Sequence, residues 1–353
     1  MDFTPTEEQE AARELAARIF ADLSTHERLR AAGTGSDAEL WKALCAAGLP
    51  GSVEETGLLG LVLLLEEQGR VTAQVPFAAT CVYGILAVAR HGTDGQRARL
   101  LPGLRDGTTV VTGAFPASGA VTSRAGRLSG AVDWVPWLRD ATHVLVPDEN
   151  RVLWLVRTED AARVDPVELT APWSAGRLVL DGATGERLGE AEGTVEGERP
   201  GKGAYADVLA AARVAFAGLQ AGVCAGSLAR AVEYTSVREQ FGRPLSTHQA
   251  VQLRAADAHM DTETIRVTAY EAAWRHDGDL DAREAALTAA WWASEAGKRV
   301  VHAGQHLHGG MGADLDHPVH RHFLWGRQLD AHLGCGTELL AELGDLLAEG
   351  DLS

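Results

Sequence analysis

Between two long alanine-rich helical patterns the chain carries Arg238-Glu239-Gln240-Phe241-Gly242-Arg243-Pro244-Leu245-Ser246-Thr247-His248-Gln249. The pattern predicts a helix that ends in a glycine turn and a new helix from Ser246, with His248 and Gln249 in its first turn. Such a corner presents an arginine, an aromatic face and helix N-terminal amides together, which suits a dinucleotide pyrophosphate. Taken alone, the plainer reading weighs more: Phe241 in the core, Gly242 a helix cap and Arg238 solvated.

A second run, Gln305-His306-Leu307-His308-Gly309-Gly310-Met311-Gly312, follows on the next helical pattern but one. Paired glycines after a helix let another backbone or a ligand approach closely, although Gly-Gly-x-Gly alone usually marks a turn. The histidines at 302, 306, 308, 317, 320 and 322 invite a metal reading. Only His302 and His306 stand at i,i+4 before the glycines and no HExxH accompanies them, so no metal site is expected.

Outward from these runs the chain divides into three stretches, expected as domains 1–107, 108–198 and 199–353. The first reads as helical: Ala11, Leu15 and Ile19 share a face behind a capping box at Thr6–Gln9. Leu58 to Gln68 is apolar nearly all round, as a buried helix would be. From Thr108 the chain becomes rich in Val, Thr, Gly and Trp. Short runs such as Val144-Leu145-Val146 and Leu178-Val179-Leu180 alternate there with turns, giving about seven strands of an antiparallel barrel or sandwich. A Gly- and Glu-rich loop is expected over 189–203. Long helices are then expected over 206–236, 246–276, 281–306 and 336–347, a four-helix bundle. The fold class is α+β multidomain.

A formal net charge of -17 over 353 residues argues against nucleic acid, which needs clustered Lys and Arg. The longest apolar run, Leu58 to Leu65, is too short for a bilayer span, and the N-terminus does not resemble a signal peptide. Cys45, Cys81, Cys224 and Cys335 are scattered, as reduced thiols would be, so a cytoplasmic protein with no membrane partner is expected.

Taken together, the two runs resemble the acyl-CoA dehydrogenase family by their order and by their place on helices behind a sheet domain. The resemblance extends along the chain. Phe3-Thr4-Pro5-Thr6-Glu7-Glu8-Gln9 is similar to the family's opening helix, Leu64-Leu65-Glu66-Glu67-Gln68-Gly69-Arg70 to its "eelgr" stretch, and Leu101 to Gly107 to the entry into its β-domain. The resemblance implies that Arg238, Gln240, Phe241, Leu245, His248 and Gln249, with Gly309 and Gly310, contact FAD bound by a neighbouring subunit. His306 stands where the family usually has glutamine, a position from which a histidine can also donate. Arg213 matches a substrate position. The implied reaction is α,β-dehydrogenation of an acyl-CoA thioester, with an electron-accepting flavoprotein as further partner.

The family pattern then breaks. Its catalytic glutamate falls on Leu333 ungapped, or on Cys335 with a two-residue shift, and the alternative base position is Ala212. The flavin-contacting "TExxGSD" reads Thr112 to Gly119 with Gly113 for the glutamate, and "WIT" reads Trp134-Val135-Pro136, where proline offers neither N–H nor hydroxyl. The half of the flavin pocket this subunit would build for itself is degraded; the half it would lend is kept. The resemblance therefore implies one subunit of an α2β2 heteromer of the actinobacterial type that acts in sterol side-chain catabolism. A homotetramer with Glu263, Asp316 or Glu338 as base, an oxygenase-type flavin enzyme and a scaffold subunit without catalysis remain as alternatives.

Overall fold

The structure is a computed structural model that describes residues 2–116, 119–189 and 203–351. The expected loop lies at 190–202 outside the described residues, as do Ala117 and Ser118. The chain forms two compact units, one of residues 1–26, 62–73 and 213–353, the other of residues 27–61 and 74–212.

Helix α1 (Glu7–Leu23) starts where expected: the Thr6 hydroxyl accepts from Gln9 N and the Gln9 side chain accepts from Thr6 N. There follow α2 (His26–Ala31), α3 (Ala38–Ala46) and α4 (Leu49–Arg70), which kinks at Gly57 (φ 70°), immediately before the apolar stretch. Short helices α5 (Phe77–Ala79) and α6 (Ala87–His91) flank a π-helical stretch, and α7 (Asp94–Asp106) is closed by the capping box Thr93/Gln96 and by left-handed Gly107.

The sheet comprises β1 (Val111–Gly113), β2 (Val121–Arg124), β3 (Arg127–Val135), β4 (His143–Pro147), β5 (Leu153–Arg157), β6 (Arg163–Pro166) and β7 (Gly176–Arg187). Its order is β1-β4-β5-β7-β3-β2, with β6 also paired to β7. It is mixed rather than wholly antiparallel, because β1 runs parallel to β4 while the other pairs are antiparallel. Val121, Leu128, Val144, Val156 and Leu178 fill its core.

After 203 come α8 (Ala204–Val237), the two-residue strands β8 (Glu239–Gln240) and β9 (Arg243–Pro244), and then α9 (Gln249–Asp277), α10 (Arg283–Leu307), α11 (Val319–Leu329) and α12 (Gly336–Asp351). Helix α10 packs on α9, α11 and α12. By length and composition α8 could cross a bilayer, but 89% of its apolar window is buried, as in a core helix. Gly218, Gly222 and Gly226 recur every four residues on α8, and a Cβ on any of them would crowd Val62, Glu66 or Arg70 of α4. Glycine there permits close helix contact. The room it leaves is taken by α4, so these glycines do not enlarge an acyl cavity.

Candidate functional site

The corner is a hairpin joined to a helix start. Arg238 N donates to Tyr234 O at 2.9 Å, continuing α8 by one bond, and Leu245 N donates to Arg238 O at 2.8 Å, closing the loop. Register pairs Glu239 with Pro244 and Gln240 with Arg243, leaving Phe241 and Gly242 as the turn. Both have positive φ, 56° and 78°, the geometry that matches the twist of a two-residue hairpin. Gly242 adopts it freely, whereas a residue with a Cβ is held there at a cost of about 1–2 kcal/mol. Phe241 is nonetheless 92% exposed, with an edge contact to His248 at 6.1 Å. The core reading of Phe241 and the cap reading of Gly242 both fail.

The second helix begins later than the expected Ser246. Leu245–Thr247 make one 3-10 turn after Pro244, His248 is extended (φ -82°, ψ 129°), and α9 starts at Gln249. His248 gives α9 no side-chain cap; Val251 N and Gln252 N donate to its carbonyl at 3.0 and 3.1 Å, so of the first turn it is the Gln249 and Ala250 amides that are left for water or a ligand. Arg238, Gln240 and Gln249 are exposed, while Leu245 and His248 are partly buried.

At the other run, α10 ends at Leu307 and Gly309–Ala313 form a 3-10 turn. Gly309 needs its positive φ (59°), and a Cβ on Gly309 or Gly310 would meet nothing within 4 Å among the described residues. The glycine required by internal packing is Gly312, where a Cβ would strike the Gln305 carbonyl. His306 is exposed, whereas His308 points inward and stacks on Tyr234 at 4.8 Å. That stack, which sequence reasoning missed, ties the glycine turn to the end of α8 four residues before Arg238. The two runs thus sit at one end of the bundle.

Leu333, Cys335 and Ala212, the positions to which the sequence pointed for a base, hold no carboxylate. Ala212 and Leu333 are buried (0% and 5% exposed), and the Cys335 thiol lies 3.3 Å from the Thr337 hydroxyl. Glu338 accepts the Cys335 N–H at 3.0 Å, which holds its carboxyl below the usual range, the reverse of what a general base needs. Glu263 is paired with Arg266, and Asp316 lies in an exposed turn. Burial does raise Glu66, but that side chain accepts from Arg266 Nε at 2.9 Å inside the helix packing. Arg213 is 7% exposed and forms a two-pronged pair with Glu342 at 2.8 and 2.6 Å, so its guanidinium already has an anion.

In the sheet unit, Thr112 is buried and its hydroxyl donates to the Pro136 carbonyl. Trp137 leaves the strand with φ 60° and stacks on Trp173 at 6.1 Å. A Cβ on Gly113 would lie 2.6 Å from the Tyr83 ring, which stacks on Phe115 at 5.2 Å, and Phe115 on Tyr205 at 5.5 Å. These groups are spent on one another.

One more surface lies beside the corner. An open groove of about 710 Å³ between α9 and α10 is lined by Leu253, Arg254, Asp257, Met260 and His302 among others. Leu253, Met260 and Val267 are 58%, 60% and 49% exposed at seven-residue spacing. That spacing was readable in the sequence as a helical stripe.

Helices before and after a mixed sheet along the chain, with an exposed corner at the bundle end, are the element order of the acyl-CoA dehydrogenase fold. Residues 6–108 match the model of the acyl-CoA dehydrogenase N-terminal domain and residues 201–337 that of its C-terminal domain. The chain belongs to the acyl-CoA dehydrogenase family. It is 34% identical to acyl-CoA dehydrogenase FadE27 of Mycobacterium tuberculosis over 99% of each chain. Among solved structures it is similar to a variant of the Tcur3481-Tcur3483 steroid ACAD (40% identity, TM-score 0.90, 98% of this chain and 99% of that one). It is also similar to a chain of the ChsE4-ChsE5 complex from Mycobacterium tuberculosis (32% identity, TM-score 0.89, 99% of each).

Proposed function

We propose that this chain is the cofactor-completing subunit of a heteromeric, FAD-dependent acyl-CoA dehydrogenase, whose catalytic carboxylate and main flavin site lie on a paralogous partner. The observation that carries this reading is the corner: Phe241 held in a strained backbone well yet 92% exposed, beside Arg238 and an uncapped α9. Strain and exposure together are unfavourable unless something covers the ring.

The residues present fit FAD. Arg238 would pair with a phosphate, the α9 amides would add N–H donors, and Phe241 would cover an apolar face. Gln240 and Gln249 would donate from either side, and His306, Gly309 and Gly310 would close the opposite wall, with no Cβ in the way. When bound, FAD supplies a hydride acceptor for oxidation of the acyl chain. This chain's own part is to hold and orient, since Leu333, Cys335 and Ala212 provide no base.

The stripe Leu253/Met260/Val267 supports a partner helix on α9. Two similar structures are named for two-component assemblies, one of them a steroid enzyme. A bulky steroid-like acyl-CoA is therefore the proposed substrate, with an electron-transferring flavoprotein taking up the electrons. Co-expression with candidate partner dehydrogenases tests the reading: the pair should co-purify and oxidise acyl-CoA. A homomer of this chain alone with full turnover would refute it.

A further inference from the structure

Arg243 stands inside the corner but outside the set of residues assigned to FAD. It faces Gln240 across the hairpin, and its Nη2 lies 3.2 Å from Nδ1 of His248. A guanidinium carries N–H donors and no acceptor, so Nδ1 accepts. The proton of the neutral His248 ring therefore sits on Nε2, because the group on one ring nitrogen decides what the other carries.

The rest of His248 is held as well. Its backbone N donates to the Leu245 carbonyl at 3.1 Å, and its carbonyl accepts from Val251 N and Gln252 N. The Phe241 ring meets the imidazole edge-on. Nε2 is shielded from water and has no hydrogen-bond partner among the described residues. A shielded N–H without an acceptor is unfavourable, so the corner of the free chain lacks one acceptor oxygen.

We propose that Arg243 is a positioning residue for the cofactor corner: by donating to His248 Nδ1 it fixes the orientation and tautomer of the ring, so that Nε2–H serves a phosphate oxygen of the dinucleotide. The inference rests on the reading that FAD occupies this corner. Arg243 itself does not touch the cofactor. Without it the ring can turn over about χ2 or move its proton to Nδ1, and either change sets a lone pair against the phosphate. Lysine at this position keeps a donor for Nδ1, whereas methionine, of similar length, does not. Arg243 is exposed, so both changes leave the fold intact.

Two measurements test the role. The first is ring-nitrogen NMR of the full chain alone at about pH 8, where an unperturbed imidazole is neutral. With His248 assigned by its loss in His248→Phe, Nδ1 should be unprotonated and Nε2 protonated. In Arg243→Met the two signals should move toward averaged values, and Arg243→Lys should restore the split. A proton on Nδ1 in the unaltered chain, or spectra alike in all three, overturns the proposal without reference to flavin. The second is flavin retention by the complex with a catalytic partner dehydrogenase. Arg243→Met and His248→Phe should each weaken FAD by about three- to tenfold, the scale of one hydrogen bond. The double variant should lose no more than either alone, since the two residues act as one unit. Arg243→Lys should recover most of the loss. Full retention in Arg243→Met, with Arg238→Ala weakened, overturns the positioning role and leaves the corner as the cofactor site. Retention unchanged in both removes the cofactor reading and this inference with it.

Discussion

Phe241 concentrates the conflict between folding and binding in this chain. Its backbone well suits glycine and its ring is in water, so Phe241→Gly should raise the stability of the free chain by up to about 1 kcal/mol. In a complex with a catalytic partner the same change should weaken FAD retention, read as flavin lost on gel filtration. A variant as unstable as it is weak-binding would mean that the ring packs within the chain. Arg238→Ala should weaken FAD by about 10- to 100-fold, the scale of a charge-assisted hydrogen bond; unchanged retention would remove Arg238 from the site. Buried His322 and partly buried His332 set an acid limit. Burial lowers each to about 4 from 6.5. The unfolded chain takes up these protons first, so stability is full above pH 6.5 and falls between 6.5 and 4, by about 3 kcal/mol for each group. Denaturant midpoints measured across that range check the slope, and a flat profile would contradict it.

At the scale of elements, what could be read in the sequence was what local chemistry alone dictates. Thr6 and Gln9 form the capping box their spacing announces, and the apolar run after Gly57 is a buried helix. The start of α9 was misplaced because Pro244 favours a turn and His248 stays extended, a choice made by the hairpin rather than by helix propensity. The parallel β1–β4 pair could not be read from short apolar runs, since strand direction depends on partners distant in sequence. Helix α11, only Val319 to Leu329 and carrying two arginines and two histidines, gave too little periodicity to announce itself. Glycines on α8 leave space along the helix, and a sequence cannot say what fills it. In the fold α4 fills it, so Gly222→Ala should destabilise by about 1–3 kcal/mol through overpacking. A neutral substitution in chemical unfolding would contradict the close crossing.

For the whole molecule, the residue types at Leu333, Cys335 and Ala212 and along the corner could be read directly, because a sequence states residue type and nothing more. What the sequence could not reveal was how the remaining polar groups are used. Thr112 is turned to Pro136, Arg213 to Glu342, and Tyr83 fills the space beside Gly113. Cys335→Glu in the isolated chain should therefore restore no dehydrogenase activity, because a base alone does not rebuild a flavin pocket; measurable turnover would contradict that view. Exposed Leu253 and Met260 belong to the same picture, and changing both to Glu should abolish association with the partner while leaving the isolated chain folded. The most direct measurement is FAD content per chain, with acyl-CoA turnover, for the purified complex and for this chain alone. The account predicts one FAD for each pair of unlike subunits in the active complex, and neither bound flavin nor turnover in the isolated chain. One FAD on every copy of a homomer, with full acyl-CoA oxidation, would contradict it.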